Sequence, residues 1–198
     1  MLQTSLALLV FLLPLAYSPG PGNMFFAATG ARFGLRATLR ASAGYHLATG
    51  CVTIAIGAGF GAALLHAPLA FAAMKLVGAL YVLWMAWRLL NARAGHVAAR
   101  CAAPGARDGA VLLLVNPKAY MIIALMFTQF LDRMAGQTTA PVLLITAIFT
   151  LNNFLAFLLW SAIGDRLAAA WSSPRLAPTL DKVFAGTLAL VALWMLLG

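Results

Sequence analysis

Two short stretches hold the residue types from which a binding site for a small charged molecule can be built. One is Asn116-Pro117-Lys118, the other Ser18-Pro19-Gly20-Pro21-Gly22-Asn23, and each lies inside a long apolar run. Lys118 supplies an ammonium. An ammonium in hydrocarbon is costly enough that it must face water, a partner or a substrate. Its natural ligand is a carboxylate. A helix cannot run smoothly through either stretch, because proline removes a backbone donor and clashes with the preceding turn. A helix restarting at Pro117 offers free amides and a positive dipole end, which also suit an anion. Gly20 and Gly22 allow close backbone approach. Asn23, Asn116 and Asn152 can bond the polar groups of a ligand.

This chemistry is recognition, not bond making. Glu is absent, and Asp108, Asp132, Asp165 and Asp181 fall at segment ends or in loops. No carboxylate pair is available within the apolar runs for acid–base or two-metal work. No Walker loop is present, so ATP hydrolysis is not expected of this chain. His46, His66 and His96 stand twenty and thirty residues apart, which is no metal-ligand pattern. Each is read as structural, and neither a metal nor a cofactor is expected. Cys51 and Cys101 differ in depth and surroundings, so no disulfide is expected.

The elements that position these residues follow from composition. The 198 residues are 64% hydrophobic and 9% charged, with a mean hydropathy of +0.96. That composition indicates a polytopic α-helical membrane protein. The apolar runs are continuous, not short and alternating, which excludes a β-barrel. Six spans are expected, at about 2–31, 40–65, 68–90, 109–132, 139–164 and 180–198. Arg32, Arg36 and Arg40 follow the first, Arg88, Arg93, Arg100 and Arg107 the third, and Arg166, Arg175 and Lys182 the fifth. The opposite side receives Arg133 alone. The net charge of +9 is thus a positive-inside signal and does not point to nucleic acid. It places the odd-numbered loops in the cytoplasm and both termini in the periplasm. Residues 2–16 lack the basic n-region of a signal peptide and are read as a retained first helix.

One polytopic domain over 1–198 is expected, as repeat one (about 1–91), a cytoplasmic loop (92–108) and repeat two (about 109–198). Three spans per half force the second half to enter from the opposite side, so the repeats are inverted. Asn23 lies eight residues before Ala31 (31 − 23 = 8), and Asn116 seven after Gly109 (116 − 109 = 7). Both breaks should therefore sit about 10–12 Å from the Arg-rich surface and face one cavity. Paired interrupted helices point to a transporter's substrate site. Gly57-x-x-x-Gly61 suits close packing within the chain, with a homodimer face as the alternative. Trp84, Trp87, Trp160 and Trp171 are read as interfacial indoles. Lys75 is read as snorkelling, and Asn152-Asn153 as either interhelical glue or a ligand contact.

These residues together resemble the LysE/RhtB superfamily of amino-acid exporters. The Ser18–Asn23 stretch is similar to that family's Pro-Gly-Pro signature, and Asn116-Pro117-Lys118-Ala119 to its fourth-helix signature. Gly34-Leu35-Arg36, Gly44, the run Lys75–Leu83 through Trp87-Arg88, and Asp181–Gly186 fit in order. The resemblance implies export of small amino acids or derivatives across a bacterial inner membrane, driven by an ion gradient, with the proton as the expected coupling ion. Members often carry an acid near Thr49, where this chain has none. Pro19, Gly20, Pro21, Gly22, Asn23, Asn116, Pro117, Lys118 and Asn152 are the expected site residues. A neutral substrate resembling threonine, homoserine or leucine is expected, because no acid within the spans would offset a cationic side chain. A metal-ion exporter would need His/Asp clusters, and a non-transporting membrane subunit would not need paired breaks.

Overall fold

The computed structural model describes residues 2–60, 68–91, 103–131, 139–170 and 177–197. Gly61, His66, His96, Cys101, Asp132, Arg133, Trp171 and most of the expected 92–108 loop lie outside them. Eight α-helices follow in order: α1 (Leu2–Tyr17), α2 (Pro21–Phe33), α3 (Leu35–Ala55), α4 (Pro68–Asn91), α5 (Ala106–Leu114), α6 (Pro117–Phe130), α7 (Thr139–Ala170) and α8 (Ala177–Leu197). A short π-helical stretch, Ile56–Phe60, continues α3. No strand occurs among the described residues.

The helices break where proline dictates. Pro21 occupies the first turn of α2 behind an extended Gly20, and Pro117 that of α6 behind a non-helical Asn116. The α1–α2 pair bends by 62° and the α5–α6 pair by 64°. α7 by itself, and each bent pair taken together, is long and apolar enough to cross a bilayer.

Polar and apolar surfaces are distributed as a bilayer demands. Leu47, Leu151, Leu190 and Trp194 are well exposed, whereas Asn23, His46, Thr49, Asn116, Asn152 and Asn153 are buried. In lipid, polar groups must find partners inside the protein, and apolar side chains need no cover.

Two glycine pairs bring helices into backbone contact. A Cβ at Gly30 would collide with the Ser161 carbonyl, and one at Gly164 with the Ala27 carbonyl, so α2 lies directly on α7. Gly44 and Gly109 do the same for α3 and α5, against the carbonyls of Ala106 and Ala41. Only glycine tolerates such approaches. Gly57 meets Phe127 and Val142 of its own chain, an intramolecular contact.

Several boundaries differ from the sequence expectation. α3 begins at Leu35, not near 40, because Gly34 (φ 81°) turns the chain in a single residue. Helix continues to Phe33 on one side and starts at Ala106 on the other. Asn23 is therefore ten residues from its helix end (33 − 23 = 10), and Asn116 ten from its start (116 − 106 = 10). Each Asn thus stands about 15 Å along its half-helix from the end that carries Arg32 or Arg107, further than the loop-based count gave. Trp160 is not an interfacial indole: its Nε1 donates to the Tyr17 carbonyl at 3.1 Å, at the first break.

Candidate functional site at the paired breaks

The end of α1 leaves carbonyls without helical partners. Side chains from other elements reach them. Asn23 Nδ2 donates to the carbonyls of Ala16 (2.8 Å) and Ser18 (2.6 Å). Lys118 Nζ, from the second break, donates to the Ser18 carbonyl (3.1 Å) and Ser18 Oγ (2.9 Å). Together with Trp160, these bonds tie α1 to α2, α6 and α7.

Lys118 reaches this position because Gly20 has no side chain. A Cβ at Gly20 would stand 3.0 Å from both Cδ and Nζ of Lys118. An ammonium has three protons to donate, and Ser18 takes two. No carboxylate bonds Lys118 among the described residues.

Two acceptors complement that donor. Asn23 Oδ1 and Asn116 Oδ1 are buried and unpartnered, on residues 3% and 4% exposed. An unmet buried acceptor costs about 1–3 kcal/mol, so each suits a ligand that donates. The Asn116 Nδ2 is already engaged, donating to the Tyr45 hydroxyl at 3.2 Å.

These groups share a narrow cavity with about 310 Å³ of atom-free space, open solvent at its mouth included. Gly20, Gly22, Asn23, Tyr45, Asn116, Lys118 and Asn153 form its polar side. Leu15, Ala16, Ala119, Ile122, Phe149 and Phe157 form its apolar side. The N-terminal turns of α2 and α6 both border it, through Gly22, Asn23, Lys118 and Ala119. Two half-helix N-termini in one cavity favour negative charge there. Gly22 seats Phe157, since a Cβ would lie 2.6 Å from Phe157 Cζ.

Of the residues expected from sequence, Gly20, Gly22, Asn23, Asn116 and Lys118 line this cavity. Pro19, Pro21, Pro117 and Asn152 are not among its lining residues; the prolines act on the backbone. The Asn152 Nδ2 is buried and unpartnered, and Asn153 reaches the cavity. Tyr45, Phe149, Phe157 and Ser18 were not anticipated. Thr49 is fully buried, and its hydroxyl donates to the Tyr45 carbonyl of its own helix at 2.8 Å.

Behind Asn153 lies His46. Its Nδ1 is 2.7 Å from the Ser42 carbonyl and 3.2 Å from Ser42 Oγ, and its Nε2 is 3.4 Å from Asn153 Nδ2. The ring packs edge-on against Phe154 and Phe157.

The arrangement has counterparts in known sequences. A membrane protein of unknown role from Vibrio cholerae is 26% identical over 187 residues, covering 90% of this chain and 89% of its own. A homoserine/homoserine lactone efflux protein of Salmonella typhimurium is 27% identical over 183 residues, 89% of this chain and 88% of its own. A leucine efflux protein of an Enterobacter species is 29% identical over 151 residues, 72% of each chain. No solved structure matches. The pattern of the LysE type translocator family matches residues 13–198, both breaks and every cavity residue included. The chain belongs to the LysE type translocators, and it is a transporter, not an enzyme.

Proposed function

We propose that this translocator exports small neutral amino acids or close derivatives from the cytoplasm across the inner membrane. One observation carries the reading. A single cavity is lined by a lysine ammonium with a spare proton and by two asparagines whose buried amide oxygens have no donors. A zwitterion fits that set: its carboxylate takes Lys118 and the half-helix amides, and its ammonium donates to Asn23 Oδ1 and Asn116 Oδ1. The carbonyls of Ala16 and Ser18 already have donors, so they are not the ammonium's primary partners. The apolar side offers Leu15, Ile122, Phe149 and Phe157 as contacts for an aliphatic side chain. The efflux activities named for the Salmonella and Enterobacter relatives support the same class.

In this reading six spans form two inverted three-helix repeats, with both termini periplasmic. The repeats rock about the site to expose it to each side in turn, coupled to inward proton movement. Breaks half-way along their spans suit such a site. Counterflow of labelled leucine, threonine and homoserine into proteoliposomes tests the proposal. Saturable exchange of at least one is expected. Exchange no faster than in protein-free vesicles for all three refutes it.

A further inference from the structure

We propose that His46 is the proton site of the transport cycle, and that the Asn153 amide makes proton and substrate mutually exclusive. The inference rests on the export reading above and adds to it the group that carries the coupling ion.

The hydrogen-bond pattern fits a neutral ring. The Ser42 carbonyl can only accept, so the Nδ1 at 2.7 Å carries the proton of the neutral imidazole. Nε2 then holds a lone pair, to which Asn153 Nδ2 donates at 3.4 Å. Asn153 also lines the cavity. With its nitrogen turned to the ring, the amide has its oxygen left for the cavity, a third acceptor alongside those of Asn23 and Asn116.

A proton arriving at Nε2 reverses this. Nε2–H donates and needs an acceptor, which Asn153 supplies when its amide turns Oδ1 to the ring and Nδ2 to the cavity. A donor then stands where the substrate ammonium needs an acceptor. The imidazolium also adds a second positive charge to a cavity that already holds Lys118. A proton on His46 therefore opposes substrate binding, and bound substrate opposes the proton. Substrate leaving on one side makes way for a proton from that side, and the proton leaves on the other side as the next substrate binds. Only the Nε2–H bond forms and breaks; no bond of the substrate changes.

Aromatic side chains make up most of the imidazole's surroundings. From α3 itself, Ser42 and Tyr45 face the ring, and from α7 Asn153, Phe154 and Phe157. α2 adds Phe26, stacked with Phe157. α5 brings Ala106 against Gly44; Arg107 and Asp108 follow it in the first turn, with the Asp108 carboxylate accepting from the Gly105 amide at 2.7 Å. α6 contributes Lys118 across the cavity, and Tyr120, whose hydroxyl donates to the Leu114 carbonyl. The chain has no Glu to take the proton instead.

The experiment compares wild type with His46→Gln in proteoliposomes, using leucine, threonine and homoserine. Counterflow is read first, then accumulation driven by an imposed pH gradient, with a trapped pH dye following protons. For wild type, substrate and protons should move in opposite directions. The half-saturation concentration in counterflow should rise as the pH is lowered and the imidazole takes up its proton. In His46→Gln, the ratio of driven accumulation to counterflow should fall to its undriven value and the pH dependence should flatten. Gradient-driven accumulation by His46→Gln at the wild-type ratio overturns the inference and leaves the export reading standing. A wild-type half-saturation that ignores pH overturns it too, whether or not the variant folds. Absence of any wild-type counterflow removes the export reading and this inference together.

Discussion

Lys118→Met separates recognition from folding. The thioether keeps the apolar stem that lies over Gly20 and deletes the ammonium. The folded state loses the two donations to Ser18, but the Ser18 carbonyl keeps Asn23 Nδ2 at 2.6 Å and is not orphaned. Those two bonds are charged, but deleting the ammonium also removes the cost of burying it, so the net stability cost should stay below that of one charged hydrogen bond, about 1.5–3 kcal/mol. The substrate carboxylate loses more, because a hydrogen bond to a charged group contributes about 1.5–3 kcal/mol. At 1.4 kcal/mol per decade, affinity should weaken about 10- to 140-fold. Counterflow half-saturation, measured beside thermal unfolding in detergent, reads both quantities. Lys118→Arg should recover part of the loss, since charge survives but the larger guanidinium has little room above Gly20. A folded Lys118→Met with wild-type half-saturation would mean that Lys118 only braces the first break, and the proposed carboxylate contact would be wrong.

Other consequences are equally direct. Lysine should compete with labelled leucine about a hundredfold less well than threonine does, because a second cation near Lys118 costs roughly 2.5–3.5 kcal/mol where no acid offsets it; equal competition would reveal an acid reaching the cavity. Gly30→Val and Gly164→Val should each destabilise the protein by at least about 1–3 kcal/mol, since backbone carbonyls of Ser161 and Ala27 cannot give way as side chains do; thermal unfolding at the wild-type temperature would contradict the close α2–α7 contact. Gly22→Ala should push Phe157 aside and slow transport with little loss of stability, checked by counterflow on a folded variant. Alkaline phosphatase fused after Gly198 should be active in the periplasm, from the asymmetry of Arg and Lys; an inactive fusion with a fluorescent cytoplasmic counterpart would reverse the topology.

The sequence alone determined that the chain is helical, apolar on its outside and broken at Ser18–Asn23 and Asn116–Lys118. Those properties are local: the clustered prolines and glycines of 19–22 and the Asn116-Pro117 step disfavour a continuous helix, whereas the single Pro14 is accommodated within α1, and composition sets the solvent. The sequence also marked Lys118, because a lone cation inside an apolar run is anomalous wherever it points. The tertiary structure decided what each polar group does. Asn152 and Asn153 are neighbours in sequence but about 100° apart around α7, and only packing put Asn153 on the cavity. His46 carried no signal, having no ligand partner at any spacing along the chain; its partner is 107 residues away on another helix. Tyr45 is in the same position, bound to Asn116 across 71 residues. Trp160 read as an interfacial indole because it stands near a segment end, yet α7 runs on to Ala170 and carries it to the first break. Partners of this kind are fixed by which helices touch. Here the paired glycines of α2 with α7 and α3 with α5 set those contacts, and they do so through backbone geometry that a residue list does not display.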